Sequence, residues 1–220
     1  MKKSYSFFFR NGLSLTFLFL AFITLLAQAV TGFREYNDFL KEHHRLPIPW
    51  TSYFGRGHFI EATFENWESE FLQMGLFVVA TIFLREEGSS ESKKCDEVFF
   101  DPAELKPKPH SPIPVKKGGW QLALYKHSLS LSLFALFLLS FLLHWYGSWK
   151  FFNEKALLEN EPMVSFCNYI TRNGFWFESF QNWQSEFLSM FAIITLSIYL
   201  RQYGSSQSKK VNASHTETGE

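Results

Sequence analysis

The residues of this chain best placed for chemistry recur. Asn66 and Glu70 lie in "FENWESEFLQM" (Phe64–Met74), and Asn182 and Glu186 lie in the near copy "FQNWQSEFLSM" (Phe180–Met190). An amide and an acid four residues apart share one helix face, so each box presents a polar pair. Close to apolar surface such a carboxyl must pair, snorkel or hold its proton more tightly, and two of them could bind a cation or relay a proton. Glu65 and Glu68 become Gln181 and Gln184 in the second box, whereas Glu70 and Glu186 agree. That pattern marks Glu70 and Glu186 as the acids whose charge is required. Trp67 and Trp183 fall in a stripe with Phe64, Phe71 and Met74 and their copies, and are expected to act as interfacial anchors. No phosphate loop, dinucleotide fingerprint, zinc-protease helix or nucleophile elbow is present. His43 and His44 have no third spaced ligand. The chain is therefore expected to be non-enzymatic, with no catalytic residue, cofactor or metal.

The elements that must position the boxes are apolar and long. Leu13 to Val30 is uncharged for 18 residues, and Ser128 to Leu143 for 16. With their flanks both can cross a hydrocarbon layer of about 30 Å. Shorter apolar runs follow each box, Phe71–Leu84 and Phe187–Leu200. Fourteen residues rise only about 21 Å as a helix, but a helix begun at Phe64 or Phe180 has 21 residues and rises about 31 Å. The boxes thus become the first turns of membrane spans rather than loops.

The chain aligns with itself, without a gap, at an offset of 116 residues. Between Phe64 and Lys94, 17 of 31 positions are identical, including "NWESEFL" on "NWQSEFL" and "LREEGSSESKK" on "LRQYGSSQSKK". The expected fold is an all-α membrane protein of four transmembrane helices, a tandem parallel duplication of a two-helix unit. Residues 1–10 form a cytoplasmic N-terminus, and 11–94 the first repeat, with spans about 13–31 and 64–84. Residues 95–121 are a Pro- and Lys-rich linker, and 122–204 the second repeat, with spans about 125–145 and 180–200. Residues 205–220 are a disordered tail. The first apolar stretch ends in Ala27-Gln28-Ala29, like a leader-cleavage site, but its mid-chain copy favours a retained anchor. His144, near the outer end of its span, is expected to snorkel to the surface.

Charge gives the orientation. The N-terminus, linker and tail side carries 14 of the 21 Lys and Arg residues, and the two opposite loops carry seven. Both termini are therefore expected in the cytoplasm. Net charge is zero, so no nucleic-acid partner is expected. The expected partners are the lipid bilayer and a second copy or another membrane protein. A small transporter or an ion- or proton-conducting protein using the repeated carboxylates is the alternative function.

The duplicated Asn-Trp-x-Ser-Glu-Phe-Leu box, with its following Leu-Arg and Gly-Ser-Ser-x-Ser-Lys-Lys, resembles an uncharacterised family of small bacterial integral membrane proteins. The resemblance covers most of the chain. It implies the bacterial inner membrane and brings no activity, substrate or catalytic residue.

Overall fold

Uncharged Leu- and Phe-rich stretches without an interior Pro favour helix, and in the computed structural model, which describes residues 5–219, all regular structure is helical. Lys2 and Lys3 of the expected cytoplasmic N-terminus, and Glu220 of the tail, lie outside the described residues. The helices are α1 (Phe7–Arg10), α2 (Gly12–Glu42), α3 (Trp50–Tyr53), α4 (Gly57–Phe83), α5 (Ile113–Lys117), α6 (Gly119–Tyr125), α7 (Ser128–Glu159), α8 (Phe166–Tyr169) and α9 (Asn173–Tyr199). A short 3-10 turn covers Pro102–Leu105. Each of the four long helices starts or ends well beyond the apolar stretch that marks it in the sequence. At 31 residues, α2 extends about 46 Å. Only 6% of its most apolar 18-residue stretch is buried, and 17% of that of α7.

The chain forms two compact units. The first comprises residues up to Phe64 together with Leu142–Phe175. Its core is Tyr36, Leu40 and Tyr53, with Phe33, Phe39, Ile48, Phe59, Phe151 and Leu158 packed around them. Beyond its apolar stretch, α2 has Phe33, Tyr36 and Leu40 at helical spacing, and their burial carries the helix on. It stops where His44 takes a positive φ of 56°; α7 stops in the same way at Asn160, φ 58°.

Each following loop is then clamped by an asparagine. Asn37 Oδ1 accepts from the Ile48 amide at 2.8 Å while its Nδ2 donates to the Ile48 carbonyl at 3.4 Å. Asn153 makes the same pair with Val164 at 2.8 and 2.9 Å. Both clamps hold the amide and carbonyl of one loop residue, and the Val164 carbonyl also accepts from the Trp149 indole Nε1 at 2.8 Å. α4 and α7 meet backbone to backbone at Gly57 and Gly147, where an added Cβ would strike main-chain atoms.

The second unit comprises Glu65–Phe141 and Trp176–Glu220. Arg85 and Arg201 close α4 and α9 alike. The Nη1 of Arg85 donates to the carbonyls of Thr81, Ile82 and Leu84, and that of Arg201 to those of Ser197, Ile198 and Leu200. These are the carbonyls a helix end leaves open. Ser92 and Ser208 then accept from the amides of Glu86 and Gln202, at 2.9 and 2.8 Å.

Residues 205–219 are held by hydrogen bonds to backbone groups. Lys209 is 2% exposed, and its Nζ donates to the carbonyls of Ser214, His215 and Glu217 at 2.9–3.1 Å. Thr218 Oγ1 accepts from the Gly88 amide at 2.8 Å, and the Gly219 amide donates to the Ser89 carbonyl at 3.0 Å. A polar composition hides this order because backbone carbonyls, not apolar side chains, hold the segment.

Candidate functional site

The repeated boxes meet within the second unit, where side-chain hydrogen bonds run through Glu65, Glu68, Gln73, Asn182 and Trp183. Asn66 and Glu70 are exposed, and Trp67 is 43% exposed. Asn182 and Glu186 are half-buried, and Glu70 is near enough for its like charge to act on Glu186. The side chain that is fully enclosed is Glu68, at 0% exposure. Its Oε1 accepts from the indole Nε1 of Trp183 at 3.2 Å. Asn182 Nδ2 donates to Glu65 Oε1. Gln73 Nε2 donates to the Glu186 carbonyl at 3.2 Å and to Ser189 Oγ at 3.3 Å.

Trp183, half-buried, packs against Phe137, Trp176 and Phe180, so it is a hydrogen-bond donor to an enclosed acid as well as an aromatic at helical spacing. By sequence, the exchange of Glu68 for Gln184 marks a replaceable acid. In the fold the two positions differ, because Glu68 is buried and Gln184 exposed.

The first unit holds a second polar group that the sequence reading did not assemble. Tyr36, 2% exposed, donates from its hydroxyl to Glu154 Oε2 at 2.9 Å, and Arg56 Nη1 lies 3.8 Å from Glu154 Oε1. Tyr53, 1% exposed, shares a 2.8 Å hydrogen bond with His58 Nδ1. Gly32 makes room for that hydroxyl, since a Cβ there would collide with it. At the offset of 116 residues Tyr36 becomes Phe152 and His58 becomes Gly174, so the group occurs once. The mismatch between the copies is the sequence signal that could have found it. His144 also departs from expectation: it is fully buried, 4.8 Å from the Phe175 ring, and does not snorkel.

Burial sets the proton affinities here. It holds Tyr36 well above the usual phenol range, helped by the Glu154 carboxylate, and pushes Tyr53 up to about 12, helped by Glu35. Burial, with Lys155 adding to it, lowers His58 against the opposing pull of Glu35. A histidine depressed in the folded state stabilises the fold above its ordinary value near 6.5, and that contribution is lost as pH falls through the lower folded value. The raised tyrosines act in the opposite window: their contribution is present below about pH 10 and is lost as pH rises above it. The thermal midpoint is therefore expected to be lower at pH 5 than at pH 7.5, with a smaller fall in His58→Gln. Equal falls in both proteins would exclude His58 as the source.

The described residues form an all-α arrangement in which two helices, α2 and α7, are long and apolar enough to cross a membrane. Among the described residues no three His, Cys, Asp or Glu side chains group in a way that could hold a metal. The chain belongs to the family described as a domain of unknown function (DUF6766), whose profile matches residues 4–220. No curated protein and no solved structure matches it.

Proposed function

We propose that this chain is a four-span integral protein of the bacterial cytoplasmic membrane. In this reading it is a tandem parallel duplication of a two-helix unit with both termini and the linker 95–121 in the cytoplasm, and it serves without catalysis as a structural or partner-binding component. The observation that carries it is the exposure of α2 and α7. The core helix of a soluble protein buries its apolar residues, whereas Leu13, Phe17, Leu18, Phe19 and Phe22 of α2 and Leu138 and Leu139 of α7 lie open. Exposed apolar area costs about 25 cal/mol per Å² in water, so lipid is the solvent that such helices suit. The duplication draws support from devices 116 positions apart: the Asn37 and Asn153 clamps, the positive φ of His44 and Asn160, and the Arg85 and Arg201 caps.

The two native cysteines test the topology directly. Both are exposed, Cys95 in the linker and Cys167 between α7 and α9. A membrane-impermeant maleimide applied to spheroplasts should label Cys167 at once and Cys95 only after lysis, with the Cys95→Ser and Cys167→Ser variants assigning each signal. Labelling of both from the same side would overturn the arrangement.

The enclosed carboxylate of Glu68 favours a second reading, a small ion- or proton-conducting protein. Proton flux into vesicles above the protein-free background, and its loss in Glu68→Gln, would support that reading over the first.

A further inference from the structure

Residues 105–127 contain five lysines, Lys106, Lys108, Lys116, Lys117 and Lys126, and no acid; the next acid along the chain is Glu154. The second part of this stretch is α5 and α6. They are joined at Gly118 and Gly119, which take positive φ values of 68° and 59° with nothing within 4 Å of an added Cβ. Two successive residues in that conformation suit only glycine, so the corner between the helices is built into the sequence. On α6 the apolar side chains face outward: Trp120 is 74% exposed, and Leu124, four residues on, and Tyr125 are exposed too. Lys116 Nζ donates to the Pro109 carbonyl at 2.6 Å, folding the proline-rich stretch back on α5. Lys106, Lys108, Lys117 and Lys126 are exposed. The segment leads straight into α7. The same order of residues precedes α2, where exposed Phe7, Phe8 and Phe9 are followed by Arg10, 116 positions before Lys126.

A tryptophan flanked by acid-free lysines, at the mouth of a helix apolar enough to span, matches the chemistry of an anionic membrane surface. Trp seats at headgroup level, lysine stems lie along apolar surface while their ammonium groups reach out, and polybasic segments bind anionic lipid beside a span. We propose that residues 106–126 form a membrane-surface clamp that binds the anionic headgroups of the cytoplasmic leaflet, with Trp120 and Leu124 seated in the interface. This rests on the spanning and orientation of α7 proposed above.

The test uses the full chain with Cys95→Ser and Cys167→Ser, a nitroxide on Leu124→Cys, and nanodiscs of phosphatidylcholine alone or with one third phosphatidylglycerol. The label should collide more with oxygen and less with a water-soluble nickel chelate in the anionic discs than in the neutral ones. High salt should reverse the change. Lys117→Gln and Lys126→Gln should each lower the docked-to-free ratio roughly fivefold. A label equally water-exposed in both lipids, or equally immersed in both and indifferent to the lysines, would overturn the clamp. A second label at Leu138→Cys in α7 separates the two proposals. If Leu138 is immersed and Leu124 is in water, the clamp alone fails. If Leu138 is in water, the spanning reading fails with it.

Discussion

Gly147→Ala is expected to destabilise the protein by about 1–3 kcal/mol, although an alanine in a helix interior ordinarily gains close to 1 kcal/mol over glycine. The reason is what a methyl group would meet. An added Cβ at Gly147 lies 2.9 Å from Glu61 Cα and 2.9 Å from Ile60 C and closer still to the Glu61 amide nitrogen. All are main-chain atoms of a neighbouring helix, which cannot turn aside as a side-chain tip can. Gly57 faces the same crossing from α4: its Cβ would lie 2.7 Å from the Gly147 carbonyl oxygen and 2.7 Å from Phe151 Cα. Gly57→Ala should therefore cost a similar amount, and the double variant less than the sum, because either substitution already forces the helices apart. Gly174→Ala is the control. It lies inside α9 with nothing within 4 Å and should be neutral or mildly stabilising. Thermal or denaturant unfolding in detergent measures all four variants. A Gly147→Ala protein as stable as the parent would mean that α4 and α7 do not approach here as described.

That crossing also shows where sequence reasoning stops. Apolar run length locates the long helices, and the period of 116 residues pairs their features, because both are properties of residue order. Position 147 carries no such mark: its counterpart is Thr31, and that of Gly57 is Asn173, so the repeat gives no reason to expect two glycines opposed. The ends of α2 and α7 lie beyond their apolar runs for a related reason. Hydropathy falls once Arg34, Glu35 and Asp38 enter, yet the helix continues because Phe33, Tyr36 and Leu40 bury one face. The Asn37 and Asn153 clamps repeat faithfully and were legible in principle. Their meaning needed the loop amides of Ile48 and Val164 to be brought back within reach. In the tail, polar composition predicts the absence of an apolar core, and the carbonyl cage around Lys209 needs none.

Of the three acids in the first box, Glu68 rather than Glu70 should prove sensitive. Glu68→Leu is expected to cost about 1–3 kcal/mol, since it leaves the half-buried Trp183 indole N–H without the oxygen that accepts from it. Glu68→Gln keeps an acceptor oxygen at the same reach and should cost clearly less. Glu70→Gln, on an exposed side chain, should stay within about 0.5 kcal/mol of the parent. The order Leu > Gln at position 68, with position 70 near neutral, separates an enclosed hydrogen-bond acceptor from a charge that must be kept at the membrane edge. Removing the partner gives an independent check: Trp183→Phe retains the packing on Phe137 and Phe180 but not the donor, so Glu68→Leu should cost less in that background than in the parent. A Glu70→Gln variant more damaged than Glu68→Leu would restore the reading that agreement between the two boxes marks the essential acid. The distinction bears on function as well as stability. Two copies of a motif that fold into different surroundings need not share the residue that matters, so a test for ion conduction should begin with Glu68, the carboxylate the fold encloses, before the pair that the repeat preserves.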